Sequence, residues 1–383
     1  MKRLFLQRLK VQFYSGYLRM RKTRIVFTVT NDLNFDQRMI RICTTLAEAG
    51  YDVTIIGFKK KKSLPLQKRP YRQIRLPIIV ERSKLMYADF WIKLFFRLLF
   101  IRADIFCAID LDTILPVYYV SSIRKKKRAY DAHELFTELK EVTDKPLSLK
   151  IWSWVERLTV PKFPGYTVGD GCARYFREKY GVEYAVVRSA TVLRPITIPE
   201  KKDKYILYQG AVNVGRCFEE LIPAMQYVDA PLIICGEGNF YNETRDLVRQ
   251  HNLEGKVTFK GYVPPDELRQ YTLNAWVGIT LFEPNSKSNQ NSLANRFFDY
   301  MHSGIPQLCV NYYEYKRINQ EFEICSLIDD VKPETIAAAL NRLLTDEAYH
   351  KRLEENCLKA RERYCWQQET KTLLKFYDQL VRS

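Results

Sequence analysis

Long uninterrupted apolar runs are missing from this 383-residue chain. A helix that crosses a bilayer needs roughly 20 consecutive apolar residues. The nearest approach, FWIKLFFRLLFI at 90–101, is short and broken by Lys93 and Arg97, so no transmembrane span is expected. The opening MKRLFLQRLKVQFYSGYLRMRK likewise has no continuous apolar core, which argues against a cleavable secretory signal. No C-x-x-C pair occurs among the nine cysteines, which are odd in number and scattered, several in apolar runs such as LIICGEG and PQLCV. Buried free thiols in a reducing cytosol are therefore expected, not disulfides or zinc. Acidic residues are absent from the first 24 positions.

What is present is an ordinary globular composition, 46% hydrophobic and 27% charged, which excludes global disorder. The length accommodates two domains, each with its own core. The net charge of +17 is unevenly placed: residues 1–200 hold 38 Lys and Arg against 19 Asp and Glu, and the remaining 183 hold 23 against 25. The excess sits in the first 24 residues, in KKKK at 59–62 with QKRPYRQIR after it, and in RKKKR at 124–128. One half of the molecule faces something negative. Nucleic acid is not the expected partner, because the clusters lack zinc spacing, RNP-like or basic-zipper patterns. An anionic membrane surface is. The N-terminal segment can form a helix with Leu6, Leu9, Phe13, Tyr17 and Met20 on roughly one side, and 90–101 offers a second apolar surface.

From residue 24 short β-rich runs alternate with helical patterns. RIVFTVT, YDVTIIGF, ADIFCAID, KRAYDAHE and EYAVVRS read as strands, with DQRMIRICTTLAEAG a helix closed by Gly50. The Pro- and Lys-rich TVLRPITIPEKKDK interrupts at 191–204, and the alternation then restarts with YILYQG, APLIICGEG, KVTFKG and AWVGITLF. Such alternation indicates a parallel sheet wrapped by helices, here twice: an α/β chain with two Rossmann-like domains facing across a cleft. The expected boundaries are a basic segment 1–23, a first domain 24–190, a linker 191–204, a second domain 205–365, and a C-terminal helix 366–383, the last helices crossing back to the first domain.

Ligands of open α/β sheets bind outside the carboxyl ends of strands, and four strand-end loops of the second half carry suitable residues. LYQGAVNVGR supplies Gly210, which permits close backbone approach, and Arg216, able to give charge-assisted bonds to a phosphate. CGEG supplies Gly236 and Glu237, and FKGYVPPDEL supplies Tyr262. The fourth loop runs into NSLANRFFDYMHSGIP, read as one helix N-capped by Ser292 and ended by Gly304 and Pro306. On that helix Asp299 shares a face with Asn295 and roughly with Asn291. Amides around Asn291, Ser292 and Leu293 would be free for a diphosphate, and Asp299 would accept two bonds from ribose hydroxyls. Each loop alone is weak, since a glycine at a strand end is usually a turn and an acid on a helix face is usually solvated. Together they point to a nucleotide site.

In order, these motifs resemble the retaining glycosyltransferases of family 4, which have the GT-B fold. That family carries two Glu separated by seven residues at this helix, and here Asn291 and Asp299 occupy the two positions. A Lys expected shortly after Arg216 is missing where CFEEL stands, so diphosphate neutralisation would lean on Arg216, the helix N-terminus and Arg296. NDLNFDQRMIRICTTLAEAGYDVTIIGF and AIDLDTILP…KRAYDAHELFTE are similar to the family's opening unit and central loops, so the resemblance spans 24 to about 375. It implies donor-sugar contacts from His133, which with Arg216 forms the catalytic pair. It makes Asp32, Asp36, Arg38, Asp110 and Glu134 acceptor-cleft candidates. The D-x-D of Asp110 and Asp112 spells a metal motif of another glycosyltransferase fold but follows a first-domain strand; no metal and no cofactor are expected. The resemblance implies sugar transfer from a nucleotide diphosphate sugar to a membrane-linked or cell-surface glycan precursor at the inner face of the cytoplasmic membrane, with retention. A sugar-nucleotide 2-epimerase of the same fold is the alternative.

Overall fold

The computed structural model describes residues 22–79, 81, 84–199 and 203–383. The expected N-terminal helix with Leu6 to Met20 lies outside them. Apolar runs flanked by turn residues form the strands; the central ones are buried along their length, as in parallel sheets covered on both faces, whereas the edge runs at 72–77, 185–186 and 257–261 are partly exposed. The first sheet holds β1 (Arg24–Thr28), β2 (Asp52–Lys59), β3 (Arg72–Pro77), β4 (Ile105–Ile109), β5 (Lys127–Ala132), β6 (Gly165–Thr167) and β7 (Ala185–Val186), in the order β3-β2-β1-β4-β5-β6-β7. The second holds β8 (Ile206–Gln209), β9 (Leu232–Cys235), β10 (Val257–Gly261), β11 (Val277–Thr280), β12 (Gln307–Val310) and β13 (Cys325–Ile328), in the order β10-β9-β8-β11-β12-β13. The strand pairings described are parallel. Two Rossmann-like α/β domains are thus built, as the alternation implied. In the second, strand order reverses between β8 and β11, the crevice where such sheets take ligands.

Of the helices, α1 (Gln37–Glu48), α2 (Lys84–Phe100), α3 (Leu111–Ile123), α4 (Lys140–Thr143), α5 (Pro146–Thr159) and α6 (Asp170–Tyr180) belong to the first half. The second has α7 (Phe218–Ala224), α8 (Tyr241–Gln250), α9 (Pro265–Asn274), α10 (Lys287–Gln290), α11 (Asn295–His302), α12 (Tyr313–Phe322), α13 (Pro333–Thr345), α14 (Glu347–Arg363) and α15 (Trp366–Arg382). By compactness the chain divides into Met1–Cys107 with Pro116–Arg128, and Ala108–Leu115 with Ala129–Ser383. Within the latter unit α15 crosses back as expected: the Tyr377 and Tyr166 hydroxyls lie 3.3 Å apart, and Glu369 accepts the Arg188 amide at 2.8 Å. Buried Glu314 accepts the Gly171 amide at the start of α6 at 2.7 Å. All nine cysteines are buried free thiols. No described helix is long and apolar enough to cross a membrane.

The opening of α11 differs from the sequence expectation. Ser286, not Ser292, acts as an N-cap: its hydroxyl accepts the Asn289 amide and opens the separate short helix α10. Ser292 instead donates its hydroxyl to the Asn289 carbonyl at 2.9 Å, and α11 begins after Ala294 with no side-chain cap. Asn291 therefore ends α10 and does not stack with Asp299 on one helix.

Candidate active site

Arg216 lies on the loop that leaves β8 through Gly210, whose φ of +123° is open to glycine but strained for side-chain-bearing residues. Gly236, just after β9, lies so close that a Cβ there would stand 1.8 Å from the Gly210 carbonyl oxygen. The two strand-end loops are thus held backbone to backbone, with the Val212 amide donating to the Glu237 carbonyl at 3.0 Å. From the loop the Arg216 guanidinium lies over the Phe282 ring, 4.5 Å from its centroid, and donates to Asn289 Oδ1 at 3.3 Å.

Arg296, on the first turn of α11, comes to the same ring. Its guanidinium stands 4.8 Å from the centroids of both Phe282 and Tyr208 and donates to the Leu281 carbonyl at 3.4 Å. One of its terminal nitrogens lies 3.4 Å from where a Cβ of Gly210 would be, and its buried Nε has no partner. Among the described residues no carboxylate pairs with either arginine. Burial, then repulsion by Arg296, holds the Arg216 guanidinium below the usual arginine range. Two cations gathered at the switch point, neither ion-paired to a carboxylate among the described residues, suit an anion, because a charge taken out of water is costly unless paired.

Asp299 sits one turn further along α11. One carboxylate oxygen accepts the Thr191 hydroxyl at 2.6 Å and the other accepts Gln209 Nε2 at 3.1 Å. Gln209 is itself fixed by the Thr272 hydroxyl at 2.7 Å. The expectation of three free amides needs correction: the Asn291 amide donates to Lys287 at 3.1 Å and that of Ser292 to Asn289 at 3.2 Å. Leu293 is buried, whereas Glu237 and Tyr262 are exposed at the ends of their strands.

Beyond β5, His133 follows buried Asp131. Its Nε2 lies 3.1 Å from Asp131 Oδ2, its Nδ1 3.5 Å from Asp110 Oδ2, and its amide donates to Asp110 Oδ1 at 2.8 Å. Asp110 adopts a left-handed φ of 53°, which turns its carboxylate onto the start of the His133 loop. The imidazole is thus flanked by carboxylates at both nitrogens. Asp131 was missed in the sequence, although an acid inside a buried strand two residues before a histidine is a readable signal. Beside it the Glu134 carboxyl is pushed up to about 8, first by burial and then by the Asp110 and Glu141 charges. Glu134 also interacts electrostatically with Arg216. His133, Glu134, Asp110, Arg216, Arg296 and Asp299 all belong to one compact unit.

The acceptor candidates of the other unit take local structural parts. Asp36 caps α1, accepting the Met39 amide at 3.0 Å and Asn31 Nδ2 at 2.8 Å. Asp32 accepts the Asn34 amide at 3.3 Å within its turn, and Arg38 is buried. Among the described residues no group of three or more His, Cys, Asp or Glu is placed to hold a metal ion.

Comparison with known proteins agrees with this geometry. Residues 191–360 match the family described as Glycosyl transferases group 1. The chain is 25% identical over 182 residues to an uncharacterized glycosyltransferase of Methanocaldococcus jannaschii; the match covers 46% of this chain and spans only 45% of that relative's length. Among solved structures, sucrose-phosphate synthase from Thermosynechococcus elongatus superposes with a TM-score of 0.79 at 17% identity, over 94% of this chain and 100% of that one. HepE of Anabaena, solved with UDP and glucose, gives 0.73 at 12% identity, over 93% and 100%. The chain therefore has the GT-B fold, and its residues 191–360 are similar to the glycosyl transferases group 1 family.

Proposed function

We infer that this protein transfers a sugar from a nucleotide diphosphate sugar to an acceptor hydroxyl. The observation that carries the reading is the pair of half-buried Arg216 and buried Arg296 over the Phe282 ring, neither of them ion-paired to a carboxylate among the described residues. A diphosphate supplies the missing negative charge, and as the glycosidic bond breaks the same two guanidiniums stabilise the charge growing on the leaving group. Arg296 takes the place of the lysine absent after Arg216. Asp299, steadied by Thr191 and Gln209, receives the ribose hydroxyls. His133, oriented by Asp131, and Glu134 contact the sugar; a protonated Glu134 donates a hydrogen bond where a carboxylate would repel the diphosphate.

The reaction needs no metal in this reading and proceeds with retention, as in the family the motifs resemble. The acceptor is a membrane-linked or cell-surface glycan precursor, a reading supported by the basic first half of the chain. Thermal-shift screening against UDP, GDP, ADP and dTDP sugars tests the donor assignment, since a ligand that binds only the folded state raises its stability. A shift in wild type that vanishes in Arg296→Ala supports it; equal shifts in both sink it. Release of nucleotide only when an acceptor is present distinguishes transfer from 2-epimerisation of the donor.

A further inference from the structure

Helix α2 has apolar side chains on both of its faces. Phe90, Leu94 and Leu98 are buried in the first unit, which is the ordinary work of an amphipathic helix. On the opposite side Leu85, Ile92, Phe96 and Phe100, at helical spacing, are 65%, 61%, 57% and 81% exposed. Two more apolar residues join this stripe. Ile79, 80% exposed, is strapped to α2 by its amide donating to Asp89 at 2.7 Å, while Lys93 donates to the Pro77 carbonyl at 2.8 Å. Ile123, 62% exposed, ends α3 where Arg124 donates to the carbonyls of Leu98 and Ile101 at 2.7 and 2.6 Å. Scattered exposed hydrophobics need no explanation, but a contiguous row of large ones along a whole helix marks an interaction surface.

The charge around it names the partner. Residues 59–102 contain 13 Lys and Arg and two acids, Glu81 and Asp89. Both acids are used internally, Glu81 by the Lys61 amide at 2.6 Å and Asp89 by Lys93 at 2.6 Å. Exposed Arg97 and Arg102 stand on or beside the helix, Lys125 follows Ile123, and Arg72 lies on the edge strand β3. A second copy of this chain would bring two basic rims together. The first 21 residues, with six Lys and Arg and no acid, have the wrong sign to cover the patch.

We propose that the outer face of α2, with Ile79 and Ile123, seats the protein on an anionic lipid surface. The phenylalanines and Ile92 enter the boundary between headgroups and acyl chains, and the arginines and lysines around them meet lipid phosphates. Six apolar residues short of a span suit a protein that lies on a membrane and does not cross it.

Flotation of the full chain with phosphatidylcholine vesicles, with and without phosphatidylglycerol, tests this without reference to sugar transfer. Wild type should float with anionic vesicles, not with neutral ones, and float less as salt rises. The triple variant Ile92→Asp, Phe96→Asp, Phe100→Asp should lose about tenfold or more in partitioning. Its melting temperature should match wild type, since the sites are exposed. A second variant, Arg97→Glu with Lys125→Glu, keeps the apolar stripe and should also lose binding. Failure of wild type to float overturns the proposal. So does unchanged flotation of the triple variant, or a concentration-dependent dimer that the triple variant abolishes while vesicles go unbound.

Discussion

Arg296 is buried over the Tyr208 and Phe282 rings with one nitrogen donating to the Leu281 carbonyl and another left without a partner. With its Nε orphaned and Arg216 across the same ring, it costs the fold stability. Replacing it by Met should therefore leave the apo melting temperature unchanged or raised, while donor affinity falls by about 1.5–3 kcal/mol, the worth of a charge-assisted bond. Calorimetric titration with UDP beside a thermal melt reads both, and a joint loss of stability and affinity would assign Arg296 to the core. Glu134 gives a pH signature. Its carboxyl ordinarily titrates near 4.5 and is here pushed up to about 8. Between those values the native state keeps a proton that the unfolded chain has released, so this group's contribution to stability declines as pH rises through that window and is flat above it. Melting temperatures of wild type and Glu134→Gln should diverge from pH 4.5 to 8, the variant gaining. Parallel curves would mean that Glu134 titrates normally.

At the scale of elements, the loops that follow β8 and β9 touch backbone to backbone and tolerate little change. A Cβ at Gly236 would meet a backbone oxygen, which has no rotamer to escape into, and φ there is +152°. Gly236→Ala should cost several kcal/mol, within the range of strain at a special backbone conformation, measured as a lower urea midpoint at unchanged m-value. A variant as stable as wild type would show that the loops separate freely. The element-level errors of the sequence reading have one origin. Ser292 and Ser286 both suit a helix start, and local pattern does not choose between them; the choice falls to α10, where Ser286 also donates to the Glu138 carbonyl at 2.9 Å, 148 residues away. Asp36 looked available for substrate because its N-cap duty depends on where α1 begins.

For the whole molecule, the proposed function has two guanidiniums, not a cation held by clustered carboxylates, meet the charge of the donor's diphosphate. UDP binding and turnover should survive EDTA; loss on chelation, restored by manganese or magnesium, would return a metal to the mechanism. The alternation of apolar runs determined the two parallel sheets, because side-chain periodicity is local and a strand buried on both faces leaves few alternatives. Strand-end glycines and the arginine of QGAVNVGR were legible for the same reason. Only the tertiary structure decided the partners: Asp299 meets Thr191 across 108 residues of chain, and Gln209 across 90. It also set Arg296 against Gly210, placed Asp131 behind His133, and turned half of α2 outward. Such choices depend on distances between residues remote in sequence, which close packing fixes and local pattern does not.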